Sequence, residues 1–287
     1  MTIETSSLTR ADDSTRGCES AGGSALARFE SAPAAPAQAR LWLLHQLDPS
    51  GLIFHICGVI ELAGPLDDAA LELALHDAVA RHEPLRTTLH LRDGVLEQQI
   101  ALDRAIELSR VELDPRLGTA DPTYQSVLHE QRTRPFRLDR DLLLRCRLVR
   151  LGAQKHHLVL ATHHVAVDGW SLGVLVREIA TSYGARVRGV PPALPPLARR
   201  YRDHAAEACA ATGCPTRAAG VAYWSRALEG LPLPPDLSRL RASAPVDPAS
   251  NEAAECSVRL SAGQTAALEE LARRSGATLF MVLLAAF

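Results

Sequence analysis

Lysine is nearly absent: Lys155 is the one lysine among 31 cationic residues, and 33 Asp and Glu balance them to a formal charge of -2. Without a surplus of positive charge there is no field to attract a polyanion, so bulk electrostatics gives nucleic acid or an anionic membrane surface nothing to bind. The six cysteines (Cys18, Cys57, Cys146, Cys209, Cys214 and Cys256) never form a C-x-x-C pair. Cys57 and Cys146 lie in apolar, strand-like runs where a reduced thiol behaves as a small hydrophobe, which argues against both zinc and a disulfide framework. Cys209 and Cys214 are five apart near a proline-rich stretch, a spacing that does not suit tetrahedral zinc without further nearby ligands. The N-terminal MTIETSSLTRADDSTRG carries Glu4, Asp12 and Asp13 and no apolar core, unlike a secretory signal, and no apolar run approaches the roughly 18 residues of a membrane span. These absences point to a cytoplasmic protein with reduced thiols and no metal, whose function must come from a local site.

What is present reads as a mixed α/β chain. Residues 1–28 are rich in Ser, Thr, Gly and Ala without a hydrophobic period, the pattern of a disordered leader. A short helix is predicted around Gln38 to Leu47, then a strand over Leu52 to Leu62, where Phe54, Ile56, Ile60 and Leu62 recur at period two. Asp67 can cap a helix running to about His82 that places Leu71, Ala74, Leu75, Ala78 and Val79 on one stripe. Arg92-Asp93-Gly94 reads as the turn of a hairpin between Leu85–Leu91 and Val95–Ile100, and Ile106–Leu113 as a further strand. Asp121-Pro122 opens a helix that Pro135 closes. Strands follow at Leu142–Leu151 and His156–His164, and beyond Asp168-Gly169 a helix is predicted from about Ser171.

The proline-rich stretch 189–197 marks a boundary, so the expected organisation is a leader at 1–28, a first lobe at 29–188, and a linker with the start of a second lobe at 189–287. Residues 230–250 look like a long surface excursion. At the end, Ser261 and Gln264 resemble a capping box, and Leu279–Phe287 is nine apolar residues in a row. A segment apolar on every side wants burial on every side, and the expectation is that the chain is the front part of a larger domain.

The densest chemistry is Thr162-His163-His164-Val165-Ala166-Val167-Asp168-Gly169-Trp170-Ser171. An H-H-x-x-x-D-G pattern would arise by chance in such a chain on the order of one time in a thousand. Strand alternation puts Leu158, Leu160, Thr162 and His164 on one side and Val159, Ala161 and His163 on the other, so two adjacent histidines cannot share one task. One can face a cleft at the strand's end while the other packs inward. The strand-loop-helix junction is also where α/β folds commonly place ligands. Lys155-His156-His157 reads as a solvated turn, and Trp42 and Trp170 as packing residues. His55, His76, His90 and His129 have no partner motif and receive no role.

Residues 162–171 resemble the core motif of the condensation domains of nonribosomal peptide synthetases, which share a chloramphenicol acetyltransferase-like fold. Two further segments agree in order: Ala35–Leu44 resembles the opening motif, with Ala35 where Ser is usual, and Arg81-His82-Glu83-Pro84-Leu85-Arg86-Thr87 resembles the second. Tyr201-Arg202-Asp203-His204 matches the fourth in part, with His204 and Glu207 in place of aromatics. The resemblance runs from about Phe29 to Phe287; the family's later motifs have no counterpart.

The resemblance implies that His164 is the active-site histidine, His163 its structural neighbour, Asp168 a member of a structural ion pair and Gly169 the glycine of close approach, whose N–H can reach a developing oxyanion. Arg86 is the expected partner of Asp168, with Arg81 its rival. It further implies amide bond formation between a carrier-bound acyl or peptidyl thioester and an aminoacyl amine, His164 either accepting the ammonium proton or holding the amine in line. Donor and acceptor carrier proteins would be the partners, with a chain carrying the remaining lobe as a third. Phosphopantetheine would arrive on the carriers, and the chain itself would bind no cofactor. Two alternatives stand beside this reading: a catalytically silent half-domain or interaction module, and an acyl-CoA-dependent O- or N-acyltransferase of the same superfamily.

Overall fold

A computed structural model of the chain describes residues 28–48, 52–211, 215–232 and 258–287. The expected leader, save Arg28, and the excursion over 230–250, save its first three residues, lie outside the described residues. The chain divides into two compact units, Met1–Leu231 and Pro232–Phe287.

The first unit is built on two sheets. Strands β1 (Phe29–Pro33), β3 (Thr87–Arg92) and β4 (Val95–Ala101) form an antiparallel sheet in the order β1-β4-β3. Strands β2 (His55–Ala63), β5 (Leu108–Glu112), β6 (Leu144–Gly152) and β7 (Lys155–His163) form the larger sheet in the order β2-β7-β6-β5, antiparallel except for the β5–β6 pair. Between them run helices α1 (Pro36–Leu47), α2 (Asp68–Arg81), α3 (Pro122–Thr133), α4 (Gly169–Val187), α5 (Tyr201–Ala210) and α6 (Pro215–Ala227).

Local chemistry accounts for these boundaries. Asp67 caps α2 by accepting the Ala70 N–H at 2.9 Å, and Asp121 caps α3 by accepting the Thr123 N–H at 2.8 Å, each satisfying a donor that a helix start leaves unpaired. Ala35 supplies no such oxygen to α1, but the Gln38 side chain reaches back to its N–H at 2.9 Å, so half of a capping box survives the loss of Ser. The β3–β4 turn holds Asp93 at φ 50° and Gly94 at φ 80°, the pair of positive angles a two-residue hairpin turn needs. The β2 strand begins three residues later than its apolar alternation predicts, because Leu52–Phe54 winds into one 3-10 turn.

Strand β7 is the axis of the unit, buried from His156 to His163. Leu158 and Leu160 point to a core shared with Leu71, Leu75 and Val79 of α2 and Leu175 and Ile179 of α4. Val159 points to the opposite core with Val149 and with Tyr124 and Val127 of α3. Covered on both faces, β7 carries a nearly unbroken apolar run in its middle, as a central strand should. Here the expected solvated turn at Lys155-His156-His157 is corrected: Lys155 is exposed, but His156 and His157 are 0% and 7% exposed. The strand simply begins one residue earlier, which draws both rings inside the unit, and His157 Nδ1 bonds the Tyr124 hydroxyl of α3 at 2.8 Å. The proline-rich stretch does not end the first unit either; α5, expected in the linker beyond residue 188, packs against β1 and α1.

In the second unit, Ser261 and Gln264 complete a capping box for α7 (Ala262–Arg274), and Gly276 at φ 59° ends it. Thr278 caps α8 (Leu279–Ala286), whose Phe280, Met281 and Leu284 are exposed among the described residues.

Leu158 is 1% exposed in the larger core, so Leu158→Ala is expected to cost about 3 kcal/mol of stability through lost contacts and a residual cavity. Chemical denaturation checks this; a loss below about 1 kcal/mol would contradict the placement of β7 at the centre of the sheet.

Candidate active site

The motif occupies the last residues of β7 and the loop into α4. In the β2–β7 ladder, His55 stands opposite His163, and the chain leaves the sheet at the next residue, whose backbone N–H donates to the Phe54 carbonyl at 2.8 Å. The pleat therefore sends the two histidines apart. His163 is 0% exposed, while His164 is exposed.

His163 sits in an aromatic cage. Its ring meets His45 edge-on at 5.3 Å between centroids, with Phe54 at 5.9 Å, His55 at 6.0 Å and Phe136 at 6.2 Å. Nδ1 accepts the Val165 N–H at 3.1 Å, which assigns the proton to Nε2, and Nε2 has no hydrogen-bond partner. Burial, with His45 and His55 beside it, lowers the His163 pKa from 6.5 to about 3. The ring is thus a neutral, inward-facing prop: its one bond pins the loop two residues on. His55 is anchored through Nδ1–H donating to the Arg132 carbonyl at 3.0 Å, and burial pushes both it and His45 down from their ordinary values. On the far side of Phe136, the Arg145 guanidinium lies 3.7 Å from the ring centroid, and burial lowers its pKa to about 10.

Asp168 is the N-cap of α4. Its Oδ1 accepts the Ser171 N–H at 2.8 Å and the Ser171 hydroxyl at 2.5 Å, and these two bonds hold the carboxyl below the usual carboxylate range. Gly169 is then the first helical residue, two positions earlier than the expected start at Ser171. A Cβ added at Gly169 would meet nothing within 4 Å, so this chain gives no internal steric reason for glycine there.

The expected pairing of Arg86 with Asp168 is corrected. Arg86 Nε and Nη2 donate to the Val79 and Ala80 carbonyls at 3.2 Å each, and Nη1 donates to the Ala101 carbonyl. The reason lies in the helix end: the last carbonyls of α2 lack intrahelical donors, and Arg86, at the close of the 3-10 turn that follows, supplies them. Burial lowers its pKa. The rival Arg81 is also committed elsewhere, to Glu178 at 3.0 Å and to the Pro195 carbonyl at 2.7 Å. Trp170 is corrected as well, being 84% exposed rather than packed, while Trp42 is half-buried against the Leu89–Phe136 core. His45, His55, Phe54 and Phe136 were not singled out by their motifs; the antiparallel register that sets His55 against His163 is what assembles them. Among the described residues no group of three or more His, Cys, Asp or Glu could hold a metal ion, and no helix is long and apolar enough to cross a membrane.

The model of the condensation domain family matches residues 29–287. One of the linear gramicidin synthase subunits of Brevibacillus parabrevis is 37% identical over 269 residues, covering 92% of this chain and 5% of that protein. The dimodular nonribosomal peptide synthase of Bacillus subtilis is 35% identical, covering 89% of this chain and 11% of that protein. Among solved structures, the X-domain from teicoplanin biosynthesis matches with a TM-score of 0.68 at 31% identity, covering 88% of this chain and 55% of that one. The starter condensation domain of rhizomide synthetase, at 21% identity and a TM-score of 0.63, shares the fold and is covered over 49% of its length. The chain thus spans about half of these solved domains and a small part of the curated synthetases.

Unfolded chain binds a proton at His163 below its ordinary value of 6.5, whereas the folded protein resists until about 3. Stability is therefore full above about pH 6.5 and falls as the pH drops toward 3, by about 1.4 kcal/mol per pH unit for this one group well below 6.5. Denaturation midpoints between about pH 7 and 4 check the slope, and His163→Phe is expected to reduce it; an unchanged slope in that variant would contradict the neutral, buried ring.

Proposed function

The chain belongs to the condensation domain family, and from that membership we propose that it joins a carrier-bound acyl or peptidyl thioester to the amine of a carrier-bound aminoacyl acceptor. The observation that supports this most is the split between the two histidines: His163 is committed to holding the loop, and His164 is left exposed at the end of a rigid central strand. A site on such an element keeps its geometry without reorganising during the reaction.

The chemistry asked of His164 is modest. A thioester is already activated, and an α-amino group with a pKa of about 7.7 to 8.0 is partly neutral near pH 7. The amine nitrogen attacks the thioester carbonyl carbon, His164 accepts a proton from nitrogen as the tetrahedral adduct forms, and the C–S bond breaks with that proton passing to the departing pantetheine thiol. Asp168 acts as a positioning residue, capping α4 so that the first N–H groups of the helix, Gly169 among them, stand beside the reacting centre where a developing oxyanion is favoured. Donor and acceptor carrier proteins are the proposed partners, their phosphopantetheine arms being part of the substrates, and a chain supplying further family motifs is a third. The proposed setting is the cytoplasm, and residues 29–188 are proposed to act as the lobe that carries the motif.

A second reading, a docking module without turnover, has one observation in its favour: a solved relative at 32% identity is an X-domain in complex with OxyB. Use of acyl-CoA donors is the third reading. One experiment separates them. The chain is supplied with donor and acceptor aminoacyl carrier proteins, or with acyl-CoA in place of the donor, beside a His164→Ala variant. Dipeptidyl thioester from the wild type, with the rate falling about a hundredfold or more in the variant, is the expected result. No product from the folded protein, or equal rates from both, would overturn the catalytic reading; product from acyl-CoA alone would favour the third.

Asp168→Ala is expected to cost about 1 kcal/mol of stability, the worth of a helix cap, and to lower the condensation rate while leaving the fold intact. Circular dichroism on thermal melting, run beside the carrier-protein assay, checks both.

A further inference from the structure

At the edge of the larger sheet remote from β2, a cavity of 440 Å³ opens beside β5, β6 and the end of α3. Four arginines line it: Arg104 from the β4–β5 connection, Arg134 just past the last turn of α3, and Arg145 and Arg147 from β6. The carboxylates in the lining are Glu107, which is exposed, and Asp141, whose Oδ2 accepts the Arg137 N–H at 2.9 Å. Neither His163 nor His164 belongs to it.

Of these arginines only Arg147 is matched. Its Nη1 meets Glu130 Oε2 at 2.7 Å, and its Nε donates to the Ser109 hydroxyl at 3.1 Å. Arg104, Arg134 and Arg145 have no salt-bridge partner among the described residues. Arg104 and Arg145 each spend a single nitrogen, Nη2, on a backbone carbonyl: Arg104 on that of Arg140, and Arg145 on that of Arg134 at 2.6 Å. Arg145 Nε is enclosed by protein, but Arg145 Nη1 is not, nor are Nε and Nη1 of Arg104, and these three donors make no hydrogen bond among the described residues. Arg134 stands exposed with its guanidinium unbonded. Burial lowers the pKa of Arg104, and burial with Arg134 beside it lowers that of Arg145 to about 10, against the opposing pull of Asp141 and Glu130. A half-buried cation without a counter-ion is costly, and here that cost gathers around one cavity.

Three guanidinium groups from separate elements around one space suit a ligand with several oxygens and more than one negative charge. A carboxylate brings two oxygens and one charge, whereas a phosphoryl group brings enough of both, and a cavity of this size has room for an organic remainder. We propose that the cavity is an anion site that takes phosphate or a phosphate monoester on Arg104, Arg134 and Arg145. It lies behind the motif: Arg145 stands opposite Ala161 in the β6–β7 ladder, and its guanidinium covers Phe136, whose ring meets His163. A bound anion there would steady the cage from outside. The site is separate from the condensation proposed for His164 and does not depend on that reading.

Calorimetry of the full chain at fixed ionic strength tests it, with inorganic phosphate, glycerol 3-phosphate and acetate as the titrants. One site per chain is expected, filled by phosphate with a Kd of about 1 mM or below, and acetate is expected to bind at least about tenfold more weakly. Glycerol 3-phosphate is expected to bind no more weakly than phosphate; its exclusion would overturn the monoester half of the proposal. Arg134→Gln, which removes no internal bond, is expected to weaken phosphate about tenfold, and Arg104→Gln by a similar factor. Arg177→Gln, exposed on α4 outside the lining, is expected to leave the affinity unchanged. Thermal melting gives a second readout: phosphate raises the midpoint of the wild type and raises that of Arg134→Gln less. No saturable binding of phosphate, acetate binding as tightly as phosphate, or an affinity unchanged in both Arg134→Gln and Arg104→Gln overturns the proposal.

Discussion

The candidate site depends on one constraint, the antiparallel pairing of β7 with β2 on one edge and β6 on the other. Once that register is set, with His55 opposite His163 and Leu144 opposite Thr162, the side of the sheet to which each residue of β7 points is settled by the pleat alone. His163 must enter the core with Val159 and Ala161, and His164 must leave it. A slip of one residue would bury the exposed ring and expose the buried one. The two cores on either face of the strand, one under α2 and α4 and the other under α3, are what resist that slip.

Burying an imidazole costs free energy, and here the cost is turned to positioning. His163 gives up hydration for one hydrogen bond from the Val165 N–H, for edge contacts with His45, His55 and Phe136, and for a tilted contact with Phe54. Beyond Val165, Asp168 fastens the other end of the loop by capping α4. Between these two fixed points the chain has little freedom, and His164 lies at the start of the span. The loop is therefore held by local hydrogen bonds rather than by a distant ion pair. Arg86, the expected partner in that pair, instead closes the end of α2 and so stabilises the layer on which α4 rests.

Much of this was legible in the sequence because local signals and burial agree there. Asp67, Asp121 and Ser261 cap the helices their positions announce, and the Asp93-Gly94 turn and the period-two run in β2 led to the right elements. The H-H-x-x-x-D-G pattern marked the candidate site, and strand alternation gave the opposite burial of its two histidines. What the sequence did not disclose are the contacts made across the fold. His45 and His55 are ordinary residues of a helix and a strand until the sheet brings them to His163. The choice of Arg86 for three backbone carbonyls is set by where α2 ends in space, and the solvation of Trp170 and the burial of His156 follow from neighbours that are far away in the chain.

The central claim is that a one-residue alternation at the end of β7 divides the motif into a buried prop, His163, and an exposed ring, His164, the one proposed to act on substrate. Histidine carbethoxylation with diethylpyrocarbonate at neutral pH, with the modified rings located by tandem mass spectrometry of the peptide spanning residues 156–177, reads that division directly. The account predicts rapid modification at His164 and protection at His163 for as long as the protein stays folded, protection being lost in denaturant. Modification of His163 in the folded protein at a rate equal to that of His164 would contradict it.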